Sequence, residues 1–328
     1  MIGAGVIGLG VGEQHVNAYL AHPDTTVAMV CDRDEARLAA LRERVPGVRT
    51  TTDAGRLICD PAVQLVSIAS YDDDHFAQAL AALRAGRHVF CEKPVCGTLD
   101  EARALAGARG DRLLGSNLVL RSAPAFAWLR EQVAAGALGT PYAFDGDYLY
   151  GRLHKITEGW RREVDAYSVM LGGGIHMVDL MLWILGERPA HVSAVGNRIA
   201  TAGTAFRYDD FVAATFTFSS GLVGRITANF GAVHRHQHVV RVFGTEATFV
   251  SDDAGPRWHP ERDGGAPARR LELAPLPATK SDLAYAFAGA VAAGTPPAER
   301  NDHLDVVAVC AAADLSLTHG ATVAIDYP

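Results

Sequence analysis

The sequence predicts two α/β domains, the first built on a doubly wound parallel sheet and the second on a large, mostly antiparallel, open-faced sheet. Two patterns indicate this arrangement: short apolar strands alternate with helical patterns up to about Leu118, and strand-like segments with glycine punctuation dominate beyond it. The 328 residues, of which 49% are hydrophobic, suffice for two packed cores. We therefore expect domains over residues 1–118 and 119–328.

The chain opens with a strand, a glycine-rich turn and a helix, and two registers of the glycine pattern compete there. Gly3, Gly5 and Gly8 match G-x-G-x-x-G literally, but only two residues precede them, which leaves no strand to lead into the loop. We favour the register in which the strand ends at Ile7 and Gly8-Leu9-Gly10-Val11-Gly12 forms the turn. The helix N-terminus then presents backbone N–H groups to a pyrophosphate.

The second strand, residues 26–32, ends in an acid at the spacing expected of a ribose-binding carboxylate. Asp32 in that role hydrogen-bonds the adenosine 2′-hydroxyl and repels a 2′-phosphate, which favours NAD over NADP. Arg33 beside it would soften that preference. The first domain is therefore predicted to be a Rossmann domain that binds NAD. The alternative role for Asp32 is to cap the following helix.

Two more strands are predicted at 65–70 and 88–91. Residues 71–75 are expected to cap a helix that runs to Leu83, and Glu92-Lys93-Pro94 follows the second strand. These polar segments lie at the carboxyl ends of parallel strands, where such sheets bind ligands.

The second half begins with an amphipathic helix around 126–134, after which the pattern becomes β-rich. Five strands are predicted, at 142–150, 191–196, 211–218, 222–230 and 239–243. Helices at 281–293 and 303–319 and a short strand at 322–326 close the chain.

Composition limits the partners and the compartment. A net charge of −7 and a pI near 6.0 give no overall attraction to nucleic acid or to anionic lipid. The five cysteines form no C-x-x-C pair, which favours a reducing, cytoplasmic compartment. No apolar run is long enough to span a bilayer, and we expect no membrane anchor.

Two distant segments carry the groups that alcohol chemistry requires. Lys93 follows the strand 88–91, and His176 lies in the run Gly172-Gly173-Gly174-Ile175-His176-Met177-Val178-Asp179. A cation and an imidazole at one site can hold a substrate hydroxyl against a nicotinamide and exchange its proton. These residues predict the dehydrogenation of an alcohol.

Glu92-Lys93-Pro94, the Gly8 loop, Asp32 and the Gly-Ile-His-x-x-Asp element ending at Asp179 resemble the glucose–fructose oxidoreductase, inositol dehydrogenase and MocA family. The resemblance covers nearly the whole chain. It implies chemistry at one carbon of a sugar, sugar phosphate, nucleotide sugar or cyclitol, and a homo-oligomer, dimer or tetramer, formed through the open face of the C-terminal sheet.

The resemblance also implies roles for individual residues. Lys93 would contact the reacting hydroxyl and the nicotinamide ribose, and His176 would transfer the proton. The positions that line the cofactor cleft in the family are matched here by Ser70, His75 and Glu92.

One departure from the family concerns the residue four positions before the histidine, which is commonly an aspartate and here is Gly172. On a helix, that acid would share a face with the imidazole and orient it. His176 then works either alone or with another acid, for which Asp165 and Asp179 are the candidates. Asp179, three residues after His176, could equally make a structural helix contact.

Residues 151–162 gather five cationic or ionisable nitrogen side chains around Trp160 and predict a binding site for an anionic substrate. The alternative is a solvated loop in which Trp160 is a packing anchor. With two residues at the domain crossover and Asp179, the candidate substrate residues are Asn117, Arg121, His154, Lys155, Trp160, Arg161 and Asp179.

His234, His236 and His238 alternate, so that an extended chain would place all three on one face. Three imidazoles can bind zinc, but side chains two apart on one strand diverge from a tetrahedron, and hydride transfer needs no metal. We expect no metal site. Any of the three could replace the missing aspartate in a proton path.

The sequence thus predicts an NAD(P)-dependent oxidoreductase that interconverts a secondary alcohol and a ketone on a sugar, a sugar derivative or a cyclitol. One alternative is an enzyme with tightly bound NAD that uses transient oxidation for epimerisation or elimination. The other is a nucleotide-binding sensor that has lost catalysis.

Overall fold

A computed structural model describes residues 1–159, 161, 164, 167–262, 267–294 and 302–328. The chain divides into two compact units, which are named here unit 1 and unit 2. Unit 1 comprises residues 1–119, 277–307 and 328, and unit 2 comprises residues 120–276 and 308–327.

Unit 1 contains a six-stranded parallel sheet, counted over the described residues. Its strands are β1 (Ile2–Ile7), β2 (Thr25–Cys31), β3 (Arg49–Thr51), β4 (Leu65–Ile68), β5 (His88–Cys91) and β6 (Leu114–Ser116). The strand order is β3-β2-β1-β4-β5-β6, so the order reverses between β1 and β4. Crossovers leave that point in opposite directions, which opens a crevice at the carboxyl ends of these two strands.

Helices separate the strands of unit 1. They are α1 (Gly12–Ala21), α2 (Glu35–Arg44), α3 (Ala54–Cys59), α4 (His75–Arg84), α5 (Leu99–Arg109) and, from later in the chain, α9 (Asp282–Ala293). Side-chain caps begin several of them: Asp34 caps α2, Asp53 caps α3, and Thr98 forms a capping box with Glu101 at α5. The predicted cap at α4 is wrong, because the Asp74 side chain makes no cap bond and pairs instead with Arg33.

Unit 2 contains a sheet of nine strands within the described residues. They are β7 (Pro141–Leu149), β8 (Pro189–Asn197), β9 (Phe211–Phe218), β10 (Val223–Asn229), β11 (Gln237–Gly244), β12 (Thr248–Asp252), β13 (Gly255–His259), β14 (Arg269–Arg270) and β15 (Val323–Ala324). The order is β14-β13-β12-β11-β7-β10-β9-β8-β15. The β7–β10 pair is parallel and the other pairs are antiparallel. The predicted fold class is confirmed.

Helices α6 (Pro124–Ala134), α7 (His154–Thr157) and α8 (Ile175–Leu185) belong to unit 2, and α10 (Asp302–His319) follows α9. A 3₁₀ turn spans Val119–Ser122, and a π-helical turn, Met170–Gly174, leads into α8. Side chains of β9 and β10 alternate between buried and more exposed, so the sheet has one packed face and one open face. In the described residues, no helix is both long and apolar enough to cross a membrane.

Candidate active site

The glycine loop after β1 lines a cavity of about 920 Å³ in unit 1. Gly8 has a φ of +88°, and a Cβ on it would collide with the carbonyl oxygen of Ala69. A Cβ on Gly10 would meet nothing closer than Arg37 Nη1, at 4.0 Å. The loop therefore leaves open space above Gly10, which suits the close approach of a phosphate.

Helix α1 begins at Gly12 with Val11 at its N-cap, directly after this loop. Gly3 and Gly5, by contrast, lie inside β1 and are not among the residues that line the cavity. The register that starts at Gly8 is thus the one that the fold uses, as predicted.

Asp32 lies at the end of β2 and binds the glycine loop directly. Its Oδ2 accepts a hydrogen bond from the backbone N–H of Leu9 at 2.6 Å, and its Oδ1 accepts one from the N–H of Asp34 at 2.8 Å. Asp34, and not Asp32, caps α2. The helix-cap alternative for Asp32 is therefore wrong, and its carboxylate is held at the cavity wall, where it fits the 2′-hydroxyl of a ribose.

Six of the residues predicted to bind the cofactor line this one cavity: Gly8, Gly10, Val11, Asp32, Arg33 and Ser70. Arg33 donates to Asp74 at 2.8 Å, which places an ion pair among the lining side chains. The Ser70 hydroxyl donates to Gln78 at 2.8 Å. The cavity is thus built from residues that lie at the carboxyl ends of β1, β2 and β4.

The other predicted cofactor residues, Gly12, His75, Glu92 and Lys93, lie outside the described lining of that cavity. His75 is fully buried, and its ring nitrogens lie 2.7 Å from the carbonyl oxygen of Pro94 and 3.2 Å from that of Ser70. It thereby ties the loop after β4 to the loop that carries Lys93. Lys93 itself is half-buried after β5.

Glu92 belongs to a buried polar network in unit 1. Its Oε1 accepts a hydrogen bond from Asn117 Nδ2 at 2.7 Å and lies 3.3 Å from His15 Nε2. His15 Nδ1 in turn lies 2.9 Å from the Ser67 hydroxyl. Burial raises the pKa of Glu92, but the His15 and Asn117 hydrogen bonds and the charge of Lys280 outweigh it and bring the pKa to about 2.

Asn117, which was predicted to contact substrate, is completely buried in this network. Besides Glu92, its Nδ2 reaches the carbonyl oxygen of Lys280 at 3.2 Å. The network therefore joins the end of β6 to the segment before α9, and it fixes the Glu92 that precedes Lys93 in the chain.

In unit 2, His176 lies at the start of α8, directly after the glycine run. A Cβ on Gly172 would collide with the hydroxyl of Tyr167, and a Cβ on Gly173 would collide with the ring of Tyr148. The glycines thus allow the π-helical turn to pack directly on these aromatic rings. In place of the aspartate expected at position 172, the fold has a glycine against which the Tyr167 phenol packs.

Four side chains, Tyr148, His176, His236 and His238, form what we name the histidine cluster. Ring centroids are 6.1 Å apart for Tyr148 and His176, 5.4 Å for Tyr148 and His238, 6.0 Å for His176 and His238, and 4.7 Å for His236 and His238. Tyr148 and His238 are direct cross-strand partners on β7 and β11. Burial, with the charges of His236 and Arg152, lowers the pKa of His238 to about 3.

The three alternating histidines do not share one face, and that prediction is wrong. His234 lies away from the cluster and pairs with Asp253 at 2.8 Å. His234 and His236 precede β11, so the regular alternation of a strand does not hold for them. Among the described residues, no group of three histidine, cysteine, aspartate or glutamate side chains has the arrangement of a metal site.

Arg121 and Asp179 bind each other in unit 2. Asp179 is fully buried, and its carboxylate accepts from Arg121 Nε at 3.0 Å and from Nη2 at 2.6 Å. The pair connects the 3₁₀ turn to α8. It supports the structural role that was one of the two alternatives for Asp179, whereas contact of either residue with substrate stays a prediction.

The basic segment separates into exposed and packed residues. His154 and Lys155 are exposed on α7, and the Arg161 guanidinium lies 5.9 Å from the Tyr167 ring centroid. Arg152 instead lies over the Tyr150 ring at 4.7 Å, beside the histidine cluster. Trp160 and Asp165 lie outside the described residues.

Sequence reasoning did not select Tyr148, Arg152 or His15 as site residues. Tyr148 lies at the end of β7 and Arg152 lies in the loop after it. A pairing of β7 with the strand that carries His238 would have indicated both residues. His15 lies in the first turn of α1, and nothing in its sequence neighbourhood distinguishes it from a core histidine.

Comparisons with known proteins agree with this architecture. The model described as "Oxidoreductase family, NAD-binding Rossmann fold" matches residues 1–110, and the model described as "GFO/IDH/MocA C-terminal domain" matches residues 126–250. The 1,5-anhydro-D-fructose reductase of Ensifer adhaerens is 30% identical over 257 residues, covering 76% of this chain and 74% of the relative.

Two further proteins are similar. The inositol 2-dehydrogenase of Rubrobacter xylanophilus is 29% identical over 75% of this chain and 70% of its own length. The solved structure of a levoglucosan dehydrogenase in complex with NADH superposes on all of this chain and all of its own with a TM-score of 0.88, at 23% identity, which is a likeness of fold alone.

The fold and the cavity at the glycine loop define an NAD-binding oxidoreductase. The chain belongs to the GFO/IDH/MocA family. The predicted family, enzyme class and cofactor are thereby confirmed.

Proposed function

We propose that this protein interconverts a secondary alcohol and a ketone on a sugar, a sugar derivative or a cyclitol, with NAD as the hydride acceptor and donor. One observation carries the proposal: the glycine loop, Asp32 and Ser70 line a single cavity of unit 1. The relatives named above are a reductase and a dehydrogenase of such compounds, which supports this class of substrate over the epimerase, elimination and sensor alternatives.

Lys93 and His176 are the residues to which we assign the chemistry. When bound, the nicotinamide accepts or returns the hydride of the reacting carbon. The Lys93 ammonium would stabilise negative charge on the reacting oxygen, and the His176 imidazole would take or give its proton. The His15–Glu92–Asn117 network would hold the segment that carries Lys93.

Asp32 makes NAD the preferred cofactor in this proposal. Its two carboxylate oxygens are fixed by backbone N–H groups, so the negative charge cannot move away from a ribose in the cavity. A 2′-phosphate would meet that charge at close range. Arg33, which would otherwise attract the phosphate, is already paired with Asp74.

The test is NADH formation at mildly alkaline pH across free sugars, cyclitols, sugar phosphates, uronates and nucleotide sugars, with NADP run alongside. Turnover with any of these classes supports the proposal. Binding of NAD without NADH formation on any substrate would contradict it and would favour the bound-cofactor or sensor alternative.

Lys93→Met tests the chemical assignment separately from the fold. We expect turnover to fall by roughly 10²- to 10⁴-fold, the range seen for a group that acts on the transition state. NADH binding, followed by its fluorescence, should persist because the cavity at Asp32 is untouched. Equal turnover in the variant and the wild type would remove Lys93 from the mechanism.

We also propose that the protein forms a dimer or tetramer through the open face of the unit 2 sheet and works in the cytoplasm. All five cysteines are free thiols, four of them buried, which supports a reducing compartment. The open face carries paired side chains such as Arg225 with Asp145, a polar surface of the kind that protein interfaces include.

A further inference from the structure

Among the residues of unit 2 that the structure describes, no acid forms an ion pair with Arg152. Its guanidinium lies on the face of the Tyr150 ring, 4.7 Å from the centroid, and its Nε is buried and makes no hydrogen bond. No carboxylate of the described residues forms an ion pair with it. A buried donor of this kind costs free energy unless a ligand completes it.

Arg152 acts on two members of the histidine cluster. Burial and Tyr150 raise the pKa of the Tyr148 hydroxyl, while the charges of Arg152 and Arg161 and a hydrogen bond with Arg152 act in the opposite direction. Arg152 is also one of the charges that hold His238 neutral.

The backbone places Arg152 there with little freedom. Gly151 has a φ of +59°, and a Cβ on it would collide with the carbonyl oxygen of His234. The two chain segments consequently run in direct contact, and His236 Nδ1 lies 3.2 Å from the carbonyl oxygens of Leu149 and Tyr150. Arg152 therefore emerges next to Tyr150 and the histidine cluster, whereas His154 and Lys155 are exposed.

We propose that Arg152 binds an anionic group, a carboxylate or a phosphate, on the substrate whose hydroxyl His176 deprotonates. The substrate class is accordingly an acidic sugar or polyol rather than a neutral one. The planar guanidinium fork matches both anions. This inference rests on the proposed function, since it assigns the substrate of the same site.

The experiment compares three matched substrates with NAD: a hexuronate, a hexose 6-phosphate and a neutral methyl hexoside. We expect the wild type to have its higher kcat/KM on one of the two acids, and the acid that wins identifies the anion. Arg152→Gln should lower kcat/KM for that acid by roughly 10- to 100-fold, the loss of a charged hydrogen-bonded contact, and should lower kcat/KM for the neutral sugar by a smaller factor. Arg152→Lys should retain part of the activity.

Arg262→Gln is the matched control, because Arg262 is exposed and donates to the backbone carbonyl of Thr245. It should leave both acids unaffected. If the wild type prefers the neutral sugar and Arg152→Gln changes every substrate equally, the inference is wrong while the proposed function stands.

If no substrate is turned over, the binding of the two acids tests the role of Arg152. Titration of the two acids into the NADH-loaded protein should show binding to the wild type that Arg152→Gln weakens by the same factor. Absence of turnover together with Arg152-dependent binding would reject the proposed function alone. Identical binding to both proteins would reject the inference.

Discussion

At Asp32, one carboxylate holds the local backbone and, in the proposed function, also selects the cofactor. It fixes the glycine loop through the N–H of Leu9 and presents its charge to the cavity. The two roles differ in what they require, because an amide oxygen can still accept the Leu9 hydrogen bond whereas repulsion of a phosphate requires the negative charge. A substitution can therefore separate them.

Asp32→Asn should keep the loop and lose the discrimination. We expect the ratio of NADPH to NADH dissociation constants, measured by cofactor fluorescence, to fall by about 10- to 100-fold, or ~1.4–2.7 kcal/mol. Asp60→Asn is the control, since Asp60 pairs with Arg49 and does not line the cavity. An unchanged ratio in Asp32→Asn would show that the carboxylate does not select the cofactor.

His238 links the histidine cluster to the pH dependence of stability. Burial keeps its folded-state pKa near 3, whereas an unfolded histidine takes up a proton near pH 6.5. The lowered pKa stabilises the fold fully above pH 6.5, and this contribution is lost as the pH falls from there toward 3. The charged and titratable neighbours, Arg152, His236, His176 and Tyr148, remain in place when only His238 is replaced.

His238→Asn should remove this dependence. Between pH 7 and pH 5 we expect the wild type to lose about 2 kcal/mol more unfolding free energy than the variant, measured by urea denaturation at both values. His234→Asn should have the opposite effect, so that the variant loses more unfolding free energy than the wild type as the pH falls. The reason is that the hydrogen bonds of His234 with the Arg235 backbone and the Asp253 carboxylate raise its pKa. Parallel losses in His238→Asn and the wild type would mean that His238 is not held neutral.

At the scale of elements, two contacts in unit 2 fix α8. The glycine run packs on aromatic rings, and the Arg121–Asp179 pair connects the 3₁₀ turn to the helix. The pair is deeply buried, with 13% of the Arg121 side chain and none of the Asp179 side chain exposed. Removing one partner would leave the other charge desolvated.

Arg121→Met should therefore lower the free energy of unfolding by about 3–5 kcal/mol in urea titrations, and Arg121→Met with Asp179→Leu should recover part of it. Arg235→Met is the matched control: Arg235 makes a similar two-bond contact with Asp253, but 66% of its side chain is exposed, and it should cost at most about 1 kcal/mol. Equal losses at the two arginines would contradict the argument from burial.

Elements with a clear period were predictable. The alternation over 211–218 corresponds to β9 (Phe211–Phe218), and the buried run before Glu92 corresponds to β5. Strands β12 and β13 were not predicted, because Asp252, Asp253 and Gly255 are typical of a loop. The two segments are strands because β12 pairs with β11 and β13 pairs with β12.

The candidate cofactor residues of unit 1 were more predictable than the candidate substrate residues of unit 2. Asp32 follows a strand at a spacing that chemistry dictates, so its position could be inferred from local sequence. The contact of Gly172 with the phenol of Tyr167, five residues earlier, exists only in the folded turn and could not be inferred from local sequence. Arg152 is likewise distinguished from Lys155 only by packing, because both occur in the same basic segment.

At the scale of the whole molecule, the residues to which we assign the chemistry lie in both units. Unit 1 holds the cavity with Asp32 and the network that fixes Glu92, and unit 2 holds His176 with its cluster. The broad sheet of unit 2 has one face that its own helices do not cover, and this face is where we propose that copies associate.

Val223 tests the association. It lies on β10 with 42% of its surface exposed, between Ala143 and Thr217 on the neighbouring strands. Glu at position 223 would bury a carboxylate in any interface formed by this face, which costs several kcal/mol. Val223→Glu should therefore sediment as a smaller species than the wild type at equal concentration. Val233→Glu makes the same chemical change at a fully exposed position outside the strands and should sediment like the wild type. A wild type that is monomeric at every concentration, or a Val223→Glu protein of unchanged mass, would place the association elsewhere or remove it.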